Sequence, residues 1–374
     1  MFQHDRLNSK LTFFQKVKRL DFILLFSIII LSAISLFVMY STDGGEILYH
    51  TKSHFVKLLT FFSLMILISF FNIKIWHISS YFIYFIIILL LIWVSIYGIK
   101  VSGSQRWINL YFIVLQPSEL MKIAVILCLA KYFHRLKIEN VNYPTNILIA
   151  LAIIGLPIIL VLSQPDLGTS ILIASSGLII LWLGGIKLKY FFVSFVTFLI
   201  SLPFIISFLK PYQKLRILTF LDPDRDPLGA GYQIIQSKIA IGSGGFSGKG
   251  FLKGTQSYLD FLPEKHTDFI FTLFSEEFGF LGSVGLLIIY TIIIVRIIRT
   301  GVISRSNFAK FFCFGFAFAI FIYIVVNLSM VLGLLPIVGS PLPIMSYGGS
   351  SMLATMIGFG IVLSAKINHK QLIA

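Results

Sequence analysis

The chain has 374 residues, of which 57% are hydrophobic and only 12% charged, and its mean hydropathy is +0.94. A soluble domain carries about 25% charged residues, so the composition excludes a soluble fold and points to a polytopic helical membrane protein. The formal charge of +15 is read as lysines and arginines of cytoplasmic loops, not as a nucleic-acid surface, and Cys128 and Cys313, each inside an apolar run, imply neither a disulfide framework nor a zinc site.

Apolar runs of about twenty residues, the length a helix needs to cross a bilayer, recur along the chain. Ten spans are expected, at 21–40, 53–71, 76–97, 118–134, 146–163, 168–184, 189–208, 269–295, 308–332 and 349–365, within one membrane domain covering 1–374. The first, Phe22–Tyr40, is longer than the apolar core of a signal peptide and lacks a convincing A-x-A site, so it reads as a retained helix. With the N-terminus inside, Arg6, Lys10, Lys16, Lys18 and Arg19 lie in the cytoplasm. Lys131, Arg135 and Lys137 follow in the next well-defined inner loop, then Lys187 and Lys189, then Arg296, Arg299, Arg305 and Lys310, and last Lys366 and Lys370. The short outer loops at 164–167 and 333–348 hold no basic residue, so the charge bias predicts both termini in the cytoplasm.

Between spans seven and eight, residues 209–268 form a 60-residue extracytoplasmic loop with eight Lys/Arg and six Asp/Glu. Long loops escape the charge rule, and a loop of this length in a compact protein is commonly functional. Within it, Ile235, Ile239 and Gly242 follow Tyr232 at helical spacing, which predicts a short helix on the membrane surface.

The unusual polar residues fall on one side of this topology. "GSQRW" (Gly103–Trp107), "QPSELMK" (Gln116–Lys122), "QPDLG" (Gln164–Gly168), the loop ending in "PEKHTDF" (Pro263–Phe269) and "PLPIMSYGGSS" (Pro341–Ser351) all face outward. Helix punctuation alone would divide them between the two faces, so the pattern predicts an outward-facing polar cavity. Trp107 suits either an aromatic belt or sugar stacking, and the Arg106 guanidinium suits phosphate. Glu119 and Lys122 are three residues apart and share a helix face. An ionised side chain at that depth costs at least about 2.5–3.5 kcal/mol, which pairing would lower. Asp166 either caps span six or lines the cavity. The glycines beside Ser350 would let backbone N–H groups approach a ligand.

Three other motif readings fail. "GSGGFSGKG" (Gly242–Gly250) has Ser243 where a phosphate loop needs glycine and Gly250 where it needs a hydroxyl. "DPDRD" (Asp222–Asp226) begins like a calcium loop, but Pro227 and Gln233 occupy its sixth and twelfth positions. His266 has no second histidine at ligand spacing, so no zinc site is expected.

"GSQRWINL", "QPSELMKIA", "QPDLGTS", "GSGGFSGKGFLKGTQSYLDFLPEKHTDFIF", "EEFGFLG" and "GLLPIVGSPLPIMSYGGSSM" together resemble the SEDS family (shape, elongation, division and sporulation) of bacterial membrane proteins. The likeness runs from the first span to the last and is nearer the elongation branch than the division branch. It implies a ten-span peptidoglycan glycosyltransferase that polymerises lipid II on the outer face of the cytoplasmic (inner) membrane. It also implies a partnership with a class B penicillin-binding protein and with elongation-complex membrane proteins. The family's key carboxylate falls on Asp268, and its cavity residues on Trp107, Glu119, Lys122 and Asp166.

The chemistry agrees with these roles. Diphosphate is a good leaving group, so one positioned carboxylate, Asp268, suffices as the general base that activates a sugar hydroxyl. Inversion at the anomeric carbon needs no second carboxylate nucleophile. Arg106, Lys249, Lys253, Lys265 or a divalent ion (Mg²⁺ or Mn²⁺) are the candidates for stabilising the departing diphosphate, and His266 for orienting Asp268. No other cofactor is expected. The alternatives are a flippase for the same lipid, which would place polar groups near the midplane in repeated halves, and a non-catalytic scaffold for the cross-linking enzyme.

Overall fold

The computed structural model describes residues 12–101, 104–109, 114–208, 211–225, 229–255 and 264–373. Arg6, Lys10, Gly103, Asp226, Pro227 and Pro263, each part of an expectation above, lie outside these residues. A helix occupies each of the ten expected positions: α2 (Phe22–Thr42), α3 (Tyr49–Ser69), α4 (Ile73–Tyr97), α5 (Pro117–Arg135), α6 (Pro144–Ser163), α7 (Leu167–Leu183), α8 (Leu188–Phe208), α11 (Ile270–Ile303), α12 (Asn307–Val331) and α13 (Gly349–Ile367). The short α1 (Phe13–Lys18) precedes them, and α9 (Pro211–Leu221) and α10 (Ala230–Gly244) lie in the long connection.

Seven of these helices, α2, α3, α4, α6, α11, α12 and α13, are long and apolar enough to cross a membrane; α7 and the 188–201 part of α8 are apolar but shorter. Phe26, Phe37, Leu59, Phe82, Ile159 and Phe192 stand exposed on the outer helices, which in a soluble protein would be an aggregation hazard and here is a surface for lipid tails. The protein is a multi-pass helical membrane protein.

α5 is the exception that marks the centre. It carries Glu119, Lys122 and Lys131, yet it is buried almost continuously from Pro117 to Lys131. It packs against α4, α7, α12 and α13, so its polar groups face protein, not lipid. Between α4 and α5 the chain adds a small antiparallel sheet to the helical architecture. β1 (Ile99–Val101), β2 (Ser104–Asn109) and β3 (Val114–Leu115) lie in that order, with Ile99 opposite Trp107 and Ile108 opposite Leu115.

The predicted helix forms as α10, with one face packed on the protein. Ile234, Ser237 and Ala240 are buried, and the Ser237 hydroxyl lies 2.7 Å from both Thr272 Oγ1 and the Val331 carbonyl oxygen. The reason follows in sequence. α11 breaks at Gly279, whose φ of 64° is left-handed. The glycine-rich turn after α10 docks in the break, where Lys249 N–H and Gly250 N–H donate to the Glu276 and Glu277 carbonyls, each at 3.0 Å. Phe280 and Leu281 N–H return the bonds to Gly245 and Phe246 at 3.0 and 3.1 Å. A Cβ on Gly248 or on Gly279 would strike the other segment's backbone, so "GSGGFSGKG" is a strap fitted to "EEFGFLG".

Candidate active site

The 333–348 segment between α12 and α13 is the hub of the site. Tyr290 of α11 donates to the Pro343 carbonyl at 2.6 Å, and Ser35 of α2 lies 3.1 and 2.9 Å from the Ile344 and Met345 carbonyls. These bonds hold Ile344 at φ 68°, a conformation that a β-branched residue adopts only when its surroundings dictate it.

The hub grips the His-Thr-Asp turn by three successive carbonyls. Tyr347 N–H donates to His266 O at 2.8 Å, Ser346 Oγ to Thr267 O at 2.6 Å, and Asn327 Nδ2 to Asp268 O at 2.9 Å. Asn327 also donates to Ser340 O at 2.8 Å, and Phe269 behind the turn is fully buried. The backbone of Asp268 is therefore fixed. Its half-buried carboxylate lies beside Gly339, where an added Cβ would come within 3.5 Å of Oδ2. Asp268 does not occupy the cap position of α11, which falls on Phe269 without a side-chain cap.

The second group lies one turn along α12. Tyr323 and Asn327 are four residues apart on one face, about 6 Å along the axis. Tyr323 OH donates to Glu119 Oε2 at 3.0 Å; Glu119 Oε2 meets Lys122 Nζ at 2.8 Å; and that ammonium sits 4.1 Å from the Tyr323 ring centre. Glu119 and Lys122 are 5% and 3% exposed, so the expected pair forms in a dry setting where each charge depends on the other.

Asp166 caps α7 through Thr169 N–H at 3.2 Å and also accepts from Thr169 Oγ1 at 2.8 Å and Gln116 Nε2 at 2.9 Å. Arg106 reaches the same carboxylate at 3.5 Å and donates to Gln164 O at 2.9 Å and to Pro165 O. Asp166 is therefore the cap of α7, and its carboxylate also stands in a polar group with Gln116, Thr169 and Arg106. Arg106 is engaged by the 164–166 turn. Gly168 in this turn abuts the Val338 carbonyl, next to the Gly339 that borders Asp268, so the "QPDLG" and "HTDF" segments meet on either side of 338–339. Ser350 accepts from Gln116 N–H at 2.8 Å and donates to Val114 O at 2.9 Å, which joins the start of α13 to the start of α5.

The remaining expected residues lie at the margins. Trp107 is half-buried on β2 and, by strand alternation, on the opposite face from Arg106. Lys249 pairs at 2.6 Å with Glu276, a fully buried carboxylate that also accepts from Thr255 N–H and Oγ1 at 2.9 Å. Lys265 is half-buried on the turn that carries Asp268. His266 Nδ1 lies 3.0 Å from Thr42 Oγ1, and its ring stacks on His50 at 4.1 Å. Beside them, burial raises the Tyr347 phenol, but hydrogen bonds to Lys57 and Ser53 and the Lys57 charge bring it below its ordinary value.

Sequence reasoning missed Tyr323, Asn327, Glu276, Asp43 and His50. Asn327, a lone amide within "YIVVNLSMV", carried a usable signal, because an uncompensated amide inside a span is costly.

Comparison with known proteins shows the family. The profile of the FtsW/RodA/SpoVE family, described as cell cycle protein, matches residues 16–371. The chain is 42% identical to the peptidoglycan glycosyltransferase MrdB of Escherichia coli K12, over 98% of each chain. It is 33% identical to a probable peptidoglycan glycosyltransferase FtsW of Trichlorobacter lovleyi, over 94% of each. Among solved structures, a chain of a peptidoglycan synthase complex that coordinates polymerization and crosslinking superposes with a TM-score of 0.80 at 31% identity, covering 93% of this chain and 97% of that one. The rod shape determining protein RodA of Thermus thermophilus superposes with a TM-score of 0.69 at 26% identity, covering 94% and 98%. With the profile spanning nearly its whole length, this chain belongs to the FtsW/RodA/SpoVE family, the SEDS proteins.

Proposed function

We propose that this protein is a peptidoglycan glycosyltransferase that polymerises lipid II during cell elongation, with Asp268 as general base. Asp268 takes the proton of the acceptor sugar hydroxyl as that oxygen bonds to the donor's anomeric carbon. The bond from that carbon to the diphosphate breaks, and the lipid diphosphate departs with its electron pair. Direct displacement inverts the anomeric centre and needs one carboxylate. The observation that carries this reading is the clamp on carbonyls 266–268, which holds one half-buried carboxylate at a fixed place. A base held in reacting geometry by a rigid backbone is what such a step requires.

Ten helices cross the inner membrane in this reading: the seven long apolar ones together with α5, α7 and α8. Both termini are cytoplasmic, and the end of the bundle bearing Asp268, Asp166 and the Glu119–Lys122 pair faces outward. The positive-inside pattern supports that orientation. The candidates for offsetting the diphosphate charge are Arg106 and Lys249, which stand beside Asp166 and Glu276, Lys253, Lys265, and a divalent ion (Mg²⁺ or Mn²⁺) brought by the substrate. Glu119–Lys122 supports the cavity wall, and Trp107 serves the rim. The synthase complex among the structural relatives supports a class B penicillin-binding protein as partner, alongside other elongation-complex proteins.

The test is polymerisation of purified lipid II by the purified protein, alone and with its class B penicillin-binding protein. Glycan strands are expected, in greater yield with the partner. Transbilayer movement of lipid II without polymer would favour a flippase, and neither activity would favour a scaffold.

A further inference from the structure

The end of the bundle opposite Asp268 carries basic groups that the proposed reaction does not use. α2 has 21 residues, about 31 Å at 1.5 Å per residue, and the hydrocarbon layer of a bilayer is about 30 Å thick. Thr42 at one end of α2 lies 3.0 Å from His266, so Lys18, Arg19 and Asp21 at its other end stand at the opposite membrane face. There the start of α2 meets Arg296 of α11, and Lys366 and His369 at the end of α13, around a recess of about 450 Å³. We propose that this recess binds the phosphate head group of an anionic phospholipid.

The charges of the recess do not balance. It has four cations, Lys18, Arg19, Arg296 and Lys366, and one carboxylate, Asp21. Asp21 is fully engaged: its side chain is 1% exposed and accepts from Leu24 N–H at 3.1 Å, Arg296 Nε at 3.0 Å and Arg296 Nη2 at 2.7 Å. Arg19 Nη1 donates to a neutral acceptor, the Ile367 carbonyl, at 3.4 Å. Among the described residues, no carboxylate lies within ion-pair distance of Lys18, Arg19 or Lys366. Three positive charges therefore remain at the recess once Asp21 and Arg296 have paired. Burial lowers the His369 imidazole below its ordinary value; a hydrogen bond to the Lys366 carbonyl opposes the shift, and the Lys366, Arg19 and Lys370 charges add to it.

A phosphate diester supplies the missing anion, and its unbridged oxygens accept charge-assisted hydrogen bonds from ammonium and guanidinium groups. Basic pockets between helix ends at a membrane face suit such head groups. The rim selects a lipid over a free phosphate. Phe22 and Ile23, 60% and 53% exposed, border the recess. Phe22, Phe26 and Ile29, all exposed, follow at i, i+4 and i+7 along one face of α2, a track for acyl chains leading from the head group into the bilayer. At the same membrane face α1 presents exposed Phe13 and Phe14. It is anchored by Phe13 stacking on Phe70 at 5.2 Å and by Lys16 Nζ donating to the Phe70 carbonyl at 2.8 Å. A soluble phosphate would use the cations and leave the apolar track without a role.

The test uses the full-length protein, delipidated in a neutral detergent and titrated with phosphatidylglycerol carrying a fluorescent acyl chain, read by anisotropy. One saturable site per chain is expected. Unlabelled phosphatidylglycerol should displace the probe, and neither phosphatidylcholine nor inorganic phosphate at the same concentration should do so. A basic residue beside an anionic lipid contributes about 1 kcal/mol, or about 5-fold in affinity. Lys366→Gln should therefore weaken binding about 5-fold, and Lys18→Gln with Arg19→Gln about 25-fold; Lys366→Arg should retain it. Lys137→Gln, which removes an exposed cation of the same membrane face outside the recess, should leave the titration unchanged. Each substitution spares the Asp21–Arg296 pair, and melting without lipid is the fold control. The proposal is overturned if the folded Lys18→Gln, Arg19→Gln protein binds as the wild type does. It is equally overturned if Lys137→Gln weakens binding as much as Lys366→Gln, which would reduce the effect to surface charge, or if inorganic phosphate displaces the probe, which would make the recess a site for a soluble anion.

Discussion

Glu119→Gln and Lys122→Met, made singly and together, probe the buried ion pair of α5. The two side chains meet at 2.8 Å and are almost wholly buried. Removing one partner from such a pair costs about 3–5 kcal/mol, because the remaining charge stays buried without its counter-ion. Tyr323 softens both losses. Without Glu119, the ammonium keeps the aromatic face 4.1 Å away, and without Lys122 the carboxylate keeps the phenol hydroxyl at 3.0 Å. The double variant leaves no ion behind, so it should lose less than the two single losses combined, by about 2–3 kcal/mol, the upper part of the range for residues in contact. At 1.4 kcal/mol per decade that coupling is about 30- to 150-fold. It is read from thermal unfolding in detergent and, in parallel, from the rate of lipid II polymerisation. Additivity within about 0.3–0.5 kcal/mol would show that the residues act separately, and the buried-pair argument would be wrong.

The clamp on carbonyls 266–268 predicts a different signature. Ser346→Ala removes the donor to Thr267 O and the acceptor of Leu342 N–H, at about 1–3 kcal/mol for the buried groups left unpaired; kcat should fall with KM little changed, and an intact kcat would show that the clamp is dispensable. Asn327→Leu frees both Asp268 O and Ser340 O and should lower kcat further than Ser346→Ala does, an order that steady-state kinetics on matched preparations checks. In a Cys128→Ser, Cys313→Ser background, Lys253→Cys should react with a membrane-impermeant thiol reagent added to intact cells stripped of outer membrane, and Lys137→Cys should not; the reverse labelling would invert the topology.

What was legible in the sequence follows from the range of the interactions. The apolar runs that became α2, α6 and α12 were visible because twenty residues of one character suffice to define a span. Glu119 and Lys122 were visible because a helix places residues three apart on one face. Asp166 was legible as a cap because an aspartate before a glycine and an apolar run is a local signal, and it caps α7. α10 was legible as a helix from its spacing, which reports a buried face without reporting what buries it; Ser237 on that face meets Thr272 of α11 and Val331 of α12, both far along the chain. His266 was read as solitary because ligand spacing was sought along the chain, whereas His50 and Asp43 reach it through the packing of α2 and α3 against the 264–269 turn. Arg106 and Lys249 were two of several candidates for the diphosphate, and the structure places beside each a carboxylate that no local pattern announces.

The central claim is that Asp268 takes a proton. Its most direct test compares lipid II polymerisation by the wild type and Asp268→Asn, matched for amount and monodispersity, with the same partner present. Asparagine preserves the size of the side chain, and the cap of α11 lies on Phe269, so membrane abundance and partner binding should be unchanged. The expected rate is lower by about 10²–10⁴-fold, the usual contribution of a general base, or about 2.7–5.4 kcal/mol of barrier. A rate near that of the wild type would contradict the assignment.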